Sequence, residues 1–203
     1  MTRAATDVLI DRVPGARNLA TDAAWVIAFS LVTAACAQIG FHLPFVPVPI
    51  TGQTFAVLLS GAVLGWRRGF LSQVVYLAEG AAGLPVFADG AGSALYLVGP
   101  SGGFLLCFPL AAALVGYLVE IGVARSTWKL LGALVSADVL ILLAGSAWLR
   151  LLFRVPFAQA WALGFYPFLI ADLAKAALVG CTLPRVLRRF EVRKDAPAPP
   201  RFS

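Results

Sequence analysis

Long apolar stretches separated by short polar or irregular connections dominate the chain. A helix that crosses the hydrocarbon core of a bilayer needs about 20 residues, and fewer where the bilayer thins. Six segments meet this requirement: residues 23–40, 51–66, 70–83, 102–122, 128–151 and 157–183. The pattern predicts an all-α, polytopic membrane protein with six transmembrane helices, with kinks at Pro109 and Pro167.

The second and third segments are almost contiguous, with Arg67, Arg68 and Gly69 between them, and this predicts a tight, charged helical hairpin. The six helices form one domain over residues 21–190. An N-terminal arm, residues 1–20, is charged and lacks the apolar core of a signal peptide, so we expect it to remain in the mature chain. The basic, proline-rich tail, residues 191–203, is predicted to be disordered.

The positive charges fall mainly on one side of this topology. All but three of the 16 lysines and arginines lie on that side; Arg150 and Arg154 lie on the other, and Lys175 lies within the membrane. By the positive-inside rule, both termini face the cytoplasm. The net charge of +6 is explained by this asymmetry and by anionic lipid headgroups. Nucleic-acid binding is therefore not expected.

The composition excludes several kinds of site. The chain is 60% hydrophobic and only 13% charged, far from the balance of a soluble domain. The three cysteines, Cys36, Cys107 and Cys181, lie in separate segments without metal-ligand spacing, and His42 is the single histidine. We expect no metal and no cofactor, and a serine, cysteine or zinc hydrolase would be hard to assemble.

The connections on the outer side are irregular but apolar. Residues 41–50 read FHLPFVPVPI, and residues 84–103 combine five glycines with aromatic and aliphatic side chains. Backbone of this kind is tolerated at membrane depth only where protein or a cavity satisfies its polar groups. A lid over an outward-opening pocket and a packing element without a ligand both satisfy that condition.

Two opposite charges, Asp172 and Lys175, stand inside the apolar run 165–183. Residues three apart share a helix face, and each costs about 2.5 to 3.5 kcal/mol near mid-bilayer. A functional site is the default interpretation, and a structural ion pair is the alternative. Gln53, with Thr51 and Thr54, begins the second helix on the same outer side, where these groups together could bind a small polar molecule.

Further residues are candidates for the same site. Phe87, Tyr96 and Tyr76 could supply apolar walls. Gly99, Ser101 and Gly102 lie at the start of the fourth helix, where free backbone amides favour an anion, although no Walker lysine follows. Asp138, in the fifth helix, is a second deep charge that could be a ligand or a helper. On the first helix, Ala20, Ala24 and Ala28 form a small-residue stripe that suits either a partner helix or internal packing.

Four stretches together carry a family resemblance: PFVPVPITGQTF at 44–55, GAAGLPVFA at 80–88, GPSGGFLLCF at 99–108 and DLAK at 172–175. In this order and spacing the chain resembles the BioY family, the biotin-binding S components of prokaryotic energy-coupling factor (ECF) transporters, over residues 18–189. It departs from the usual pattern at Asp89, Ser101 and Gly52. We expect Asp89 to face solvent or to cap a turn.

The resemblance implies a six-helix S-component fold in the cytoplasmic membrane, with an outward biotin pocket in which Asp172 and Lys175 bind the ligand. It also implies that the alanine stripe docks to a transmembrane T component driven by two ATPases. The expected function is high-affinity biotin capture and uptake rather than catalysis. The alternatives are an intramembrane acid/base enzyme that uses Asp138 or Asp172, and a structural subunit that binds no small molecule.

Overall fold

The computed structural model describes residues 18–194, which form a bundle of six α-helices with two very short strands. The helices are α1 (Leu19–Ala37), α2 (Gln53–Ala81), α3 (Gly102–Glu120), α4 (Thr127–Phe153), α5 (Phe157–Gly164) and α6 (Tyr166–Lys194). The strands β1 (Gly40–Phe41) and β2 (Ile50–Thr51) pair antiparallel. The all-α class predicted from the apolar segments is confirmed. Most of the predicted arm and the tail beyond residue 194 lie outside the described residues.

Three helices of the described range, α1, α3 and α4, are each long and apolar enough to cross a membrane. A fourth candidate span is the pair α5 and α6, which meet at a bend of 43°. The sequence predicted one kinked helix over 157–183, whereas the structure has two helices separated at Phe165. Pro167 explains the break, because proline fits the first turn of a helix but cannot continue one that is already formed.

The predicted helical hairpin is α2 itself, which reverses direction at Gly65 rather than at residues 67–69. Gly65 has φ 81° and ψ −179°, a conformation open essentially only to glycine. Beyond the turn the two halves of α2 are so close that a Cβ on Gly69 would lie 3.0 Å from the Cα of Gly61. From α3, Gly116 packs directly against the turn, and Glu120 accepts a hydrogen bond from the Trp66 backbone N–H at 3.0 Å. The turn is therefore held by α3.

Polar side chains join α1 to α2 inside the bundle. Gln73 donates to the hydroxyls of Thr33 on α1 and Ser60 on the first half of α2, at 3.2 and 3.1 Å, and all three residues are fully buried. The Ser30 hydroxyl donates to Glu79 at 3.1 Å. Bonds of this kind fix how α1 sits on the hairpin, because apolar side chains gain little from one another in lipid.

Candidate functional site

The ion pair predicted from the sequence is present and joins α6 to the start of α2. Lys175 Nζ lies 2.6 Å from Asp172 Oδ1, and it also donates to the Thr51 carbonyl oxygen at 2.6 Å and to Thr54 Oγ1 at 3.0 Å. The Thr54 hydroxyl donates in turn to Asp172 Oδ1 at 2.8 Å. The ammonium group thus has three acceptors for its three protons.

The same arrangement leaves one acceptor unused. Asp172 is only 1% exposed, and its Oδ2 atom has no hydrogen-bond partner among the described residues. A buried polar atom without a partner costs about 1 to 3 kcal/mol, and more when it carries charge. The pair therefore offers a hydrogen-bond acceptor to an incoming molecule, while the protons of Lys175 are already engaged.

A cavity opens directly over this pair. Its polar lining comes from Thr51, Gln53, Thr54, Ser101, Asp172 and Lys175. Its apolar walls come from Tyr96, Phe104, Leu105, Phe108, Leu142 and Phe168. The centre of a water molecule can occupy about 30 Å³ of it, which is room for about two waters. The cavity combines apolar walls with a few convergent polar groups, as ligand sites usually do.

The two irregular outer connections cover the cavity. Val48 and Pro49 from the first, and Ala88 from the second, complete its lining. The connections are tied to each other and to α1. His42 Nε2 lies 3.2 Å from Asp89 Oδ2, and the Gln38 side chain donates to the Phe87 carbonyl and accepts from the Gly90 N–H, both at 3.0 Å. This arrangement is compatible with both interpretations left open by the sequence, a lid and a packing element.

Asp89 lies outside the cavity. Its side chain is 67% exposed and it pairs with His42, while its backbone has φ 58°. Positive φ is tolerated better by aspartate and asparagine than by most residues, because their short polar side chains can bond locally. The extra negative charge in this connection is thus directed away from the cavity lining.

The predicted aromatic residues occupy two layers. Tyr96 lines the cavity, and Phe87 is stacked on it with ring centroids 5.1 Å apart. Tyr76 lies behind, edge-on to Phe87 at 5.6 Å; it accepts a hydrogen bond from the Gln53 amide and donates to the Val86 carbonyl at 3.1 Å. Tyr76 and Phe87 therefore support the wall and hold Gln53 in place, without being among the lining residues.

The glycine-rich start of α3 contributes one lining residue, Ser101, whose hydroxyl is 3.5 Å from the Tyr96 hydroxyl. The Gly99 carbonyl accepts a hydrogen bond from the Trp148 indole at 2.9 Å. Gly102 packs so tightly that a Cβ there would lie 2.0 Å from the Leu97 carbonyl oxygen. Gly102 therefore lets the connection pack closely against the start of α3, and the Gly99 carbonyl joins the connection to α4.

Asp138 lies on α4, four residues before the lining residue Leu142 and therefore on the same face one turn away. It is 1% exposed, and neither carboxylate oxygen has a hydrogen-bond partner within residues 18–194. It lies within electrostatic range of Asp172 and Lys175. The structure thus places it next to the ion pair but not among the residues that line the cavity.

The alanine stripe lies on the outside of the bundle. Ala20 and Ala24 are exposed, and Ala28 is half-buried. Internal packing therefore does not use the first two members of the stripe.

Five apolar residues of the cavity walls were not among the candidates predicted from the sequence: Phe104, Leu105, Phe108, Leu142 and Phe168. Helical spacing from known candidates could have indicated three of them. Phe168 is one turn from Asp172 on α6, and Phe104 and Phe108 follow Ser101 on α3, so each pair shares a face. Without the packing of α3 against α6, however, these residues resemble any other apolar positions.

Comparisons with known proteins agree on one family. The sequence model of a family described as "BioY family" matches residues 5–192 of the chain. A probable biotin transporter BioY from Pyrococcus horikoshii is 39% identical over 78% of this chain and 91% of its own length. A biotin transporter BioY from Thermotoga maritima is 37% identical over 75% of the chain and 88% of its own length.

The fold matches a crystal structure of the S-component for biotin from an ECF-type ABC transporter, with a TM-score of 0.77 and 24% sequence identity. The match covers 85% of this chain and 95% of the solved one. Family and fold therefore point the same way as the four sequence stretches: the chain belongs to the BioY family.

Proposed function

We propose that this chain captures biotin on the outer side of the cytoplasmic membrane and carries it inward as the S component of an ECF transporter. The observation that carries the proposal is the buried acceptor Asp172 Oδ2, which has no partner among the described residues and belongs to a side chain that, with Lys175, lines a cavity beneath two outer connections. The relatives named as biotin transporters, and the biotin S-component with the same fold, support it. They also favour transport over the catalytic alternative.

The free acceptor determines how the ligand is oriented. Biotin has a ureido ring with two N–H donors and a carbonyl acceptor, and a valerate chain that ends in a carboxylate. Only an N–H can bond to Asp172 Oδ2, so the ureido ring lies at the floor of the cavity. Lys175 can then turn one proton from Thr51 or Thr54 to the ureido carbonyl. A hydrogen bond to a charged group contributes about 1.5 to 3 kcal/mol.

The valerate end then points toward the outer connections. Ser101 and the start of α3 lie there, where backbone amides and the helix dipole favour a carboxylate. Tyr96, Phe104 and Phe168 flank the space between and can bury the ring system and the alkyl chain. Gln53 adds a polar contact, and Asp138 acts on the charge of the pair from behind the floor.

Binding requires the cavity to open. Room for about two waters cannot hold a bicyclic vitamin, so the two outer connections must move apart before biotin enters. The contacts made by Gln38 and His42 are among those that hold them together.

In this proposal the chain transports biotin together with partner subunits, and transport by the chain alone or as an oligomer is the alternative. We propose that Ala20, Ala24 and Ala28 form the docking face for a transmembrane T component, which is driven by two ATPase subunits. The exposure of Ala20 and Ala24 supports this assignment. Both termini face the cytoplasm, in accordance with the distribution of lysine and arginine.

The test is direct binding of biotin to the purified, detergent-solubilised chain. We expect unchanged biotin to be retained in a one-to-one ratio, and we expect Asp172→Asn and Lys175→Ala to weaken binding at least tenfold without loss of folded protein. Asp89→Asn is the matched control, because it removes an acidic charge that lies outside the cavity. Chemical conversion of the ligand, or equal affinity in all three variants, would contradict the proposal.

A further inference from the structure

A surface groove lies at the opposite end of the bundle from the ligand cavity. It is a groove of about 660 Å³ between the start of α1, the Gly65 turn of α2 and the end of α3, and it is far larger than the ligand cavity. Its apolar wall includes Leu19, Leu64, Leu71 and Val75. Leu19 and Leu71 are 87% and 49% exposed, so this wall faces the surroundings of the bundle.

Four charged residues line the groove, and three of them have a local role. Arg68 pairs with Asp22 at 2.8 Å. Glu120 bonds to the Trp66 backbone N–H, at the amino end of the second half of α2, where the helix dipole stabilises a negative charge. Arg67 remains. Its guanidinium lies 5.0 Å from the centre of the Trp66 ring and forms no ion pair within the described part of the chain.

The positive-inside rule places this end of the bundle at the inner surface of the membrane. Tryptophan prefers the headgroup level of a bilayer, and arginine binds phosphate through its planar fork of N–H donors. An exposed arginine beside tryptophan, at the edge of an apolar groove, thus matches the two halves of a phospholipid. Basic pockets between helices on the cytoplasmic side bind anionic lipids in this way.

We propose that the groove binds one anionic phospholipid of the inner leaflet, with its phosphate on Arg67 and an acyl chain along Leu64, Leu71 and Val75. This inference depends on the orientation of the chain in the membrane and is independent of biotin.

The test is native mass spectrometry of the full chain in mild detergent, titrated with phosphatidylglycerol or with phosphatidylcholine of the same acyl chains. We expect the first bound phosphatidylglycerol to be held at least fivefold more tightly than phosphatidylcholine. Arg67→Gln should remove that preference. Lys129→Gln is the matched control, because Lys129 is an exposed cation of the same membrane side that does not line the groove. Glycerophosphoglycerol, which has no acyl chains, should not compete at the same concentration.

Several results would overturn the proposal. Equal binding of the two lipids would show that the groove does not select charge, and equal losses in Arg67→Gln and Lys129→Gln would show diffuse surface attraction only. Competition by glycerophosphoglycerol would assign the site to a soluble phosphate. If Arg67→Gln prevented assembly with the T component while lipid preference persisted, the groove would be a protein interface. Biotin binding by Arg67→Gln should be unchanged, so this test and that of the vitamin site can fail separately.

Discussion

At the scale of single residues, the site is a nearly closed set of polar bonds with one open position. The sequence could predict that Asp172 and Lys175 share a face, because helical spacing determines that. It could not predict that the Thr51 carbonyl and the Thr54 hydroxyl would bind the lysine, since those contacts join residues more than a hundred positions apart. The unused oxygen of Asp172 is visible only once these partners are known.

Thr54 tests this set of bonds. Its hydroxyl links Lys175 to Asp172, so Thr54→Val, which keeps the shape and removes the hydroxyl, should leave both charged groups short of a partner. We expect biotin affinity to fall about five- to fiftyfold, corresponding to about 1 to 2.5 kcal/mol, and the melting temperature to drop. Thr54→Ser is the control and should retain most of the affinity. Equal affinities for the two variants would mean that the hydroxyl has no role.

Asp138 should show a conflict between stability and function. Both of its buried carboxylate oxygens lack hydrogen bonds among the described residues, so an apolar side chain there removes a desolvation cost. We expect Asp138→Leu to raise the melting temperature of the ligand-free protein and to weaken biotin binding, with Asp138→Asn as the control that keeps a polar group of the same shape. A lower melting temperature together with normal binding in Asp138→Leu would show that the carboxylate is structural.

At the scale of elements, apolar length predicted the bundle well and predicted its breaks less well. The hairpin follows from two short apolar segments separated by charges, yet the turn is at Gly65, where the backbone needs a conformation that glycine tolerates. The last apolar stretch was long enough for one helix, and Pro167 divides it into α5 and α6. Pattern alone does not distinguish a proline that kinks a helix from one that begins a new helix.

Gly65 provides a test of the turn. With φ 81° and ψ −179°, an added Cβ is strained, so Gly65→Ala should lower stability by about 1 to 3 kcal/mol. Gly132→Ala in α4 is the control, because a Cβ there meets nothing within 4 Å and alanine favours helix. We expect its melting temperature to be unchanged or higher. Similar melting temperatures for the two variants would show that the turn at Gly65 relaxes without cost.

At the scale of the whole molecule, the two outer connections are held together by contacts between segments that are distant in the chain. Composition predicted that the two outer connections are unlike solvated linkers. It could not predict that Gln38, at the end of α1, reaches Phe87 and Gly90, or that His42 meets Asp89, because packing of the finished bundle creates those pairs. The exposed His42 and Asp89 side chains should contribute little, since surface ion pairs are worth about 0 to 1 kcal/mol. Gln38, with two hydrogen bonds to the second connection, should hold that connection more strongly.

Removing the Gln38 side chain should change the rates of biotin association and dissociation more than the affinity for biotin. Gln38→Ala deletes the two hydrogen bonds, of about 0.5 to 1.5 kcal/mol each, that join the end of α1 to the second connection. In our proposal these bonds hold the lid closed in both the free and the bound protein. We expect biotin dissociation to quicken about three- to tenfold, association to quicken as well, and the dissociation constant to change less than either rate. Radiolabelled biotin, followed as it binds to and leaves the purified chain, measures both rates.

Gln159→Ala, in exposed α5, is the control for this measurement and should leave both rates unchanged. The two rates also separate the possible roles of Gln38. Faster dissociation with unchanged association would make it a contact of the bound state alone. Unchanged rates in Gln38→Ala would mean that opening is limited elsewhere, and the two connections would then be packing elements that happen to line the cavity.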